Sequence, residues 1–120
     1  MFRRSTLLLA ALAALAFAAA AGATAGPIGP LPRGPVTNIS APTGSLVSVV
    51  LPRGAQGRVW RQAQIIDQKV LHEVSEADIG QYAIIVFKAV GRGTTKAVYG
   101  LTRGETKKAY ASATFVVHVR

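Results

Sequence analysis

The stretch LVSVVLPRGAQGRVW, from Leu46 to Trp60, joins an aliphatic run to the single tryptophan of the chain. Within the run, Val47, Val49 and Leu51 share one face, which is the alternation of a strand with one buried side. A proline and two glycines then break the pattern before Trp60. This order predicts a strand that ends at Leu51, a loop that crosses to a facing sheet, and Trp60 in the core between the sheets.

Three later segments also have the composition of strands. Residues 82–90, YAIIVFKAV, are apolar on both faces up to Lys88, which indicates a central strand. Residues 96–101 form a shorter candidate. Residues 113–120 alternate, and the pattern places Phe115, Val117 and Val119 inward with His118 outward.

The middle of the chain is open to two interpretations. Residues 58–66 and 69–74 read as two strands around Asp67 and Gln68, whereas residues 62–71 also fit a short helix. The many β-branched residues favour strands. Residues 36–120 are therefore predicted to form an all-β, immunoglobulin-like sandwich of about seven strands.

The N-terminal third differs in composition. Arg3 and Arg4 precede an apolar run, and Ala23-Thr24-Ala25 fits the cleavage rule of a secretory signal peptide, so residues 1–25 are predicted to be removed. Residues 26–35, with four prolines and three glycines, then form an arm. We expect a bacterial exported protein, periplasmic or extracellular, with no stable membrane anchor after cleavage.

The amino-acid composition excludes several kinds of functional site and partner. The 120 residues include no cysteine, which excludes disulfides, thiol nucleophiles and cysteine-based zinc sites. Without two of its 14 basic residues the mature chain has 12 against 5 acidic ones, a net charge of +7 that favours anionic partners. The Arg-Gly pairs are scattered with few aromatic residues nearby, so nucleic acid is not an expected partner.

No catalytic constellation is apparent. His72 and His118 are the only histidines, too few for a metal site even with Glu73 and Glu76 nearby. Asp78 falls in the same predicted corner, which we interpret as a solvated turn. The sequence predicts no enzyme activity, no metal and no cofactor.

The corner itself has a specific pattern. Asp78, Gly80 and Tyr82 stand two apart, as in the corner before strand F of immunoglobulin-like domains, where a tyrosine ring enters the core. Gly80 is expected to have a positive φ. Val50 and Ile84 stand near the usual disulfide positions, which predicts an aliphatic contact in place of the bridge.

These residues resemble the chagasin-type inhibitors of papain-like cysteine proteases, which are immunoglobulin-like sandwiches. Residues 44–52, with the loop closing at Gly57 and Trp60 beyond, are similar to the first conserved block of that family. Residues 88–91 resemble the end of its central strand, and Thr102-Arg103 with the strand of residues 114–119 resembles its C-terminal part. The resemblance covers residues 36–120.

The resemblance implies three loops that enter a protease cleft: residues 53–57, 75–81 and 103–109. The implied binding residues are Arg53, Gly54, Ala55, Gln56, Gly57, Gly80, Arg103, Gly104 and Glu105. The loops depart from the family, because Arg-Gly-Ala-Gln-Gly replaces Asn-Pro-Thr-Thr-Gly, Gly80 alone represents the glycine-rich loop, and Gly104 and Glu105 replace Pro and Trp.

Two functions follow as hypotheses. The first is a secreted protein inhibitor of papain-like cysteine proteases, or a diverged relative, acting by loop insertion. The alternative is a non-catalytic binding module that recognises an anionic partner or a cell-envelope polymer through Lys96, Arg103, Lys107 and Lys108. The sequence leaves the oligomeric state open.

Overall fold

The computed structural model describes residues 27–120, so the predicted signal peptide lies outside the described residues. Seven strands and no helix are present in this part of the chain. They are β1 (Val36–Ala41), β2 (Leu46–Pro52), β3 (Arg58–Gln62), β4 (Leu71–Ile79), β5 (Tyr82–Ala89), β6 (Gly93–Arg103) and β7 (Ala109–Val119). No helix of residues 27–120 is long and apolar enough to cross a membrane.

The strands form two facing sheets. One has the order β1-β7-β6-β3 and the other β2-β5-β4. All pairs are antiparallel except β1 with β7, in which Val36 pairs with Thr114 and Ala41 with Val119. The predicted all-β sandwich is therefore confirmed, and the chain crosses between the sheets after β2 as expected.

The core lies between the sheets and is built by alternation along the strands. Val47, Val49 and Leu51 of β2 are buried while the residues between them are exposed. Phe115, Val117 and Val119 of β7 are also buried, as predicted. Phe87 on the central strand β5 is fully buried. The indole of Trp60 packs against this cluster while remaining only half-buried, so Trp60 borders the core and does not fill its centre.

The predicted tyrosine corner is wrong. Residues 71–79 form the long strand β4, and a tight turn at Gly80 and Gln81 leads directly into β5, with the predicted positive φ at Gly80. Tyr82 begins β5 and is 51% exposed. The buried tyrosine is Tyr99 on β6, whose ring meets Phe115 edge to face with centroids 6.3 Å apart.

The predicted replacement for a disulfide is also wrong. Val50 and Ile84 are direct partners in neighbouring strands of one sheet, so their contact cannot join the two sheets. Val50 is 48% exposed on the outer face. Buried residues such as Val49 and Ile85 join the core cluster instead, which holds the sheets together through apolar packing.

The Gly/Pro-rich arm, residues 27–35, lies along the outer face of the four-stranded sheet. Its carbonyl at Pro32 accepts a hydrogen bond of 2.6 Å from the Ser112 hydroxyl, and the carbonyl of Pro35 accepts one from the Thr114 amide. Ile28 and Leu31 approach Gly100, which has no side chain to keep them away. The arm thus covers the outer side of β6, where Val98 and Thr102 are buried.

Candidate functional site

Three connections meet at one end of the sandwich. The first loop (residues 53–57) joins β2 to β3, the hairpin turn (residues 80–81) joins β4 to β5, and the third loop (residues 104–108) joins β6 to β7. All residues of these three connections are exposed. Eight of the nine residues implied by the family resemblance lie in these connections, and the ninth, Arg103, is the last residue of β6, directly before the third loop. We call this end of the sandwich the loop end.

Direct hydrogen bonds hold the three connections next to each other. The Arg53 amide donates to the Gln81 carbonyl at 2.8 Å, and Arg53 Nη1 donates to the Gly80 carbonyl at 3.3 Å. On the other side, the Gly104 amide donates to the Gly57 carbonyl at 3.2 Å. Gly57 and Gly104 have φ values of 84° and 56°, which glycine adopts without strain. The first loop is therefore the middle member of the three.

The third loop is supported from beneath by polar side chains. Thr102 is fully buried; its hydroxyl accepts a hydrogen bond from Arg61 Nε at 3.0 Å and donates to the Gly104 carbonyl at 2.7 Å. Arg61 also donates to the Thr106 carbonyl at 2.8 Å. Within the loop, the Thr106 hydroxyl and amide donate to the Arg103 carbonyl. A loop with this many fixed atoms loses little entropy when it binds a partner.

The sequence analysis missed Arg61, Thr102 and Thr106. Each is an ordinary strand or loop residue in the linear pattern, and only the pairing of Arg61 with Gly100 next to Thr102 brings their side chains together. The arm adds one more contact, since the Gly29 amide donates to the Lys107 carbonyl at 2.7 Å. The arm therefore also holds the third loop in place.

The basic residues predicted to form one patch are divided. Lys107 and Lys108 lie in the third loop next to Arg103, and Lys108 and Arg58 both lie over the Tyr110 ring, at 5.0 and 3.8 Å from its centroid. Lys96 is exposed on β6 seven residues before Arg103, which corresponds to roughly 23 Å along a strand. Lys96 therefore does not belong to the basic cluster at the loop end.

A cavity of about 400 Å³, which we call the edge cleft, opens between β3 and β4 at the loop end. Its lining includes Arg53, Arg58, Trp60, Glu76, Asp78 and Ile85. β3 and β4 are each the last strand of their sheet, so no further strand closes this side. Trp60 Nε1 donates to the Pro52 carbonyl at 2.8 Å, which fixes the indole in the wall of the cleft.

The acidic residues of β4 lie in a strand and not in a turn as expected, although all three are solvent-exposed as the expectation had them. Glu73, Glu76 and Asp78 pair with Phe87, Ile85 and Ala83, all of which belong to the core or pack on it. Directly opposed residues of antiparallel strands share a face. The register shift between Glu73 and Ser75 keeps Glu73 and Glu76 on the same side. Burial and the neighbouring charge of Glu76 raise the pKa of Glu73.

The histidines do not contribute to a site. His72 is exposed on β4, and His118 is exposed on β7 with its Nδ1 atom 3.1 Å from the Thr94 hydroxyl oxygen. Among residues 27–120, no group of three acidic or histidine side chains is placed to hold a metal ion. The loop end presents backbone, arginine and small side chains to solvent.

No family model matches the chain, and no curated protein matches it by sequence. Among solved structures, the chain is similar to the cysteine protease inhibitor EhICP2 from Entamoeba histolytica, with a TM-score of 0.57 at 16% sequence identity. The matched region covers 74% of this chain and 99% of that chain. At this identity the likeness shows a shared fold, which agrees with the sandwich that the sequence resemblance predicted.

Proposed function

We propose that the chain is an exported inhibitor of papain-like cysteine proteases, or a diverged relative, that binds by inserting the loop end into the protease cleft. The observation that carries the proposal is the meeting of the three connections through Arg53, Gly57 and Gly104. The fold shared with a cysteine protease inhibitor supports it. Inhibition of this kind is steric, because the loops fill the substrate cleft without any reaction.

The sequence of the loop end suits a narrow insert. Gly54, Ala55 and Gly57 carry little or no side chain and are exposed, so the first loop presents mainly backbone to a partner. Arg53 and Arg103 flank it, and Glu105 lies beyond Gly104. The first loop would take the central position in the cleft, with the hairpin turn and third loop on either side.

The test is residual papain activity on a peptide substrate in the presence of the purified chain lacking residues 1–25. We expect inhibition at micromolar or lower concentrations, and we expect Ala55→Glu to weaken it by about tenfold or more because it adds bulk and charge to the central loop. The matched control is Ser40→Glu, which adds the same charge on β1, near His118 and away from the loop end. Full papain activity at about 10 µM protein would exclude the proposal.

A second candidate function rests on the basic cluster around Tyr110. Arg58 and Lys108 lie over its ring, and Lys107 and Arg103 are exposed beside it. This arrangement suits an anionic polymer or an acidic protein. On immobilised heparin, Lys107→Ala with Lys108→Ala should lower the eluting salt concentration more than Lys69→Ala with Lys88→Ala, which removes the same charge elsewhere. Equal decreases in the eluting salt concentration would mean that heparin binding depends only on the net charge of the chain.

A further inference from the structure

The two open sides of the sandwich differ in charge. One side is bordered by the edge strands β3 and β4, which carry Arg58, Arg61, Glu73, Glu76 and Asp78. The other side is bordered by the edge strands β1 and β2, and residues 34–52, which include both strands, contain no charged residue. Because the chain carries 14 basic and 5 acidic residues, the strands β1 and β2 offer a second copy the approach with the least repulsion.

The edge of β2 has backbone groups without a neighbouring strand. Just beyond β2, the Arg53 amide donates to the Gln81 carbonyl at 2.8 Å, so this pair of opposed residues is hydrogen-bonded. Opposed pairs in an antiparallel ladder alternate between bonded and non-bonded. The odd-numbered residues of β2 therefore bond to β5, and the even-numbered ones point their N–H and C=O groups away from it: Leu46, Ser48 and Val50.

β2 also lacks the features that protect the opposite edge of its sheet. Bulges and charged side chains keep an edge strand from pairing with another chain. β4 has both, since its register shifts after Glu73 and it carries three carboxylates. The register of β2 with β5 is continuous from Leu46 to Pro52, and Leu46 and Val50 are 66% and 48% exposed. The edge of β2 is therefore a regular apolar template for one more strand.

We propose that β2 pairs antiparallel with β2 of a second copy of this chain, about a twofold axis at Ser48. In this register Ser48 faces Ser48 of the second copy, and Leu46 of each chain faces Val50 of the other. All three residues with outward backbone groups are then paired, and both exposed apolar side chains gain a cross-strand contact. Pro52, which has no N–H, lies where the ladder ends.

The pairing turns the two loop ends in opposite directions, because β2 runs towards the loop end in each copy. Both loop ends stay open, so the dimer is bivalent whatever the loops bind. A single strand pair buries less than the roughly 1,200 Å² of a stable interface. We therefore expect a weak dimer, with a dissociation constant on the order of 100 µM.

The test is sedimentation velocity of the chain lacking residues 1–25, which keeps both sheets, from about 1 µM to about 1 mM. The unchanged chain should shift from monomer to dimer over this range. Ser48→Lys should raise the dissociation constant by about tenfold or more, because it places two like charges face to face at the axis. The matched control is Ser75→Lys, which adds the same charge at the equivalent position of β4, since both exposed serines pair with Val86. It should leave the dissociation constant unchanged.

Amide hydrogen exchange distinguishes edge pairing from stacking of the outer faces. Between about 10 µM and about 500 µM protein, exchange at Leu46, Ser48 and Val50 should slow about threefold, while β4 exchanges at the same rate. Circular dichroism establishes that both lysine variants are folded. Equal dissociation constants of the two variants, or no slowing in β2, would overturn the proposal. A chain that stays monomeric to about 1 mM would do so as well, and would leave this edge to an extended segment of another protein.

Discussion

Thr102 is the residue that connects the sheet to the third loop. Its buried hydroxyl accepts a hydrogen bond from Arg61 and donates one to the Gly104 carbonyl. Thr102→Val keeps the shape of the side chain but leaves the Arg61 donor and the Gly104 acceptor without this partner. We expect the free energy of unfolding to fall by about 1–3 kcal/mol, measured by urea denaturation. Thr37→Val, on the exposed strand β1, is the matched control. Equal losses in the two variants would show that the hydroxyl network carries no stability.

Tyr99 presents the opposite case, a buried hydroxyl that no described residue pairs with. Tyr99→Phe removes this group while keeping the ring contact with Phe115. The free energy of unfolding should rise by about 1 kcal/mol, since the hydroxyl loses its water contacts on folding without compensation. Tyr82→Phe at the exposed start of β5 should change it by less than about 0.5 kcal/mol. A clear loss of stability in Tyr99→Phe would indicate a partner in solution.

Glu73 makes stability depend on pH. Its pKa is raised from 4.5 by burial and by Glu76, so the folded chain binds its proton more tightly than the unfolded chain. Stability is therefore greatest when Glu73 is protonated and falls as pH rises above 4.5 through the folded pKa. Urea midpoints measured from pH 4 to 8 should fall less in Glu73→Gln than in the unchanged chain. Parallel pH profiles would contradict the assignment.

Alternation of apolar and polar residues predicts some strands of this protein and fails for others. β2 alternates between buried and exposed residues, and residues 115–119 of β7 alternate between buried and less buried ones, so alternation predicts both strands and their inward residues. β4 is an edge strand with a register shift and inward carboxylates, and these features remove the apolar alternation by which a strand is recognised. For that reason Glu73, Glu76 and Asp78 resemble a solvated corner, and Tyr82 at the hairpin resembles a tyrosine corner.

The same reasoning applies to the candidate site. The resemblance to the chagasin-type inhibitors implies that the three connections share one end, and the hydrogen bonds of Arg53 and Gly104 join them there. The edge cleft depends on how far β3 and β4 extend past each other. β3 ends at Gln62, whereas the sequence predicts strand through residue 66.

The N-terminal arm offers a test at the level of one element. A Cβ atom at Gly34 would overlap the Ser112 carbonyl oxygen of β7, so Gly34→Ala forces the arm away from the sheet. We expect faster amide hydrogen exchange in residues 27–35 and in the third loop, because Gly29 donates to Lys107. Ser48→Ala, on the exposed face of β2 in the other sheet, is the control. Unchanged exchange in the third loop would mean that the arm does not support it.

The whole molecule depends on pairing between its first and last strands. β7 pairs with both β1 and β6 and carries the buried Phe115, Val117 and Val119. A chain that stops at residue 112 should therefore fail to fold, whereas a chain that lacks residues 1–34 should keep its sandwich. Circular dichroism and a cooperative urea transition distinguish the two outcomes. Native-like unfolding of the chain that stops at residue 112 would contradict this view of the fold.

The direction of β7 has a practical consequence. It begins after the third loop and ends at Val119, and the backbone of the next residue, Arg120, forms hydrogen bonds with Ala41 and Thr43 at the far end of the sandwich. A tether attached after Arg120 would orient the molecule on a sensor surface with its three connections turned outward. The same tether placed before residue 29 would emerge beside Lys107 and obstruct the approach of any analyte.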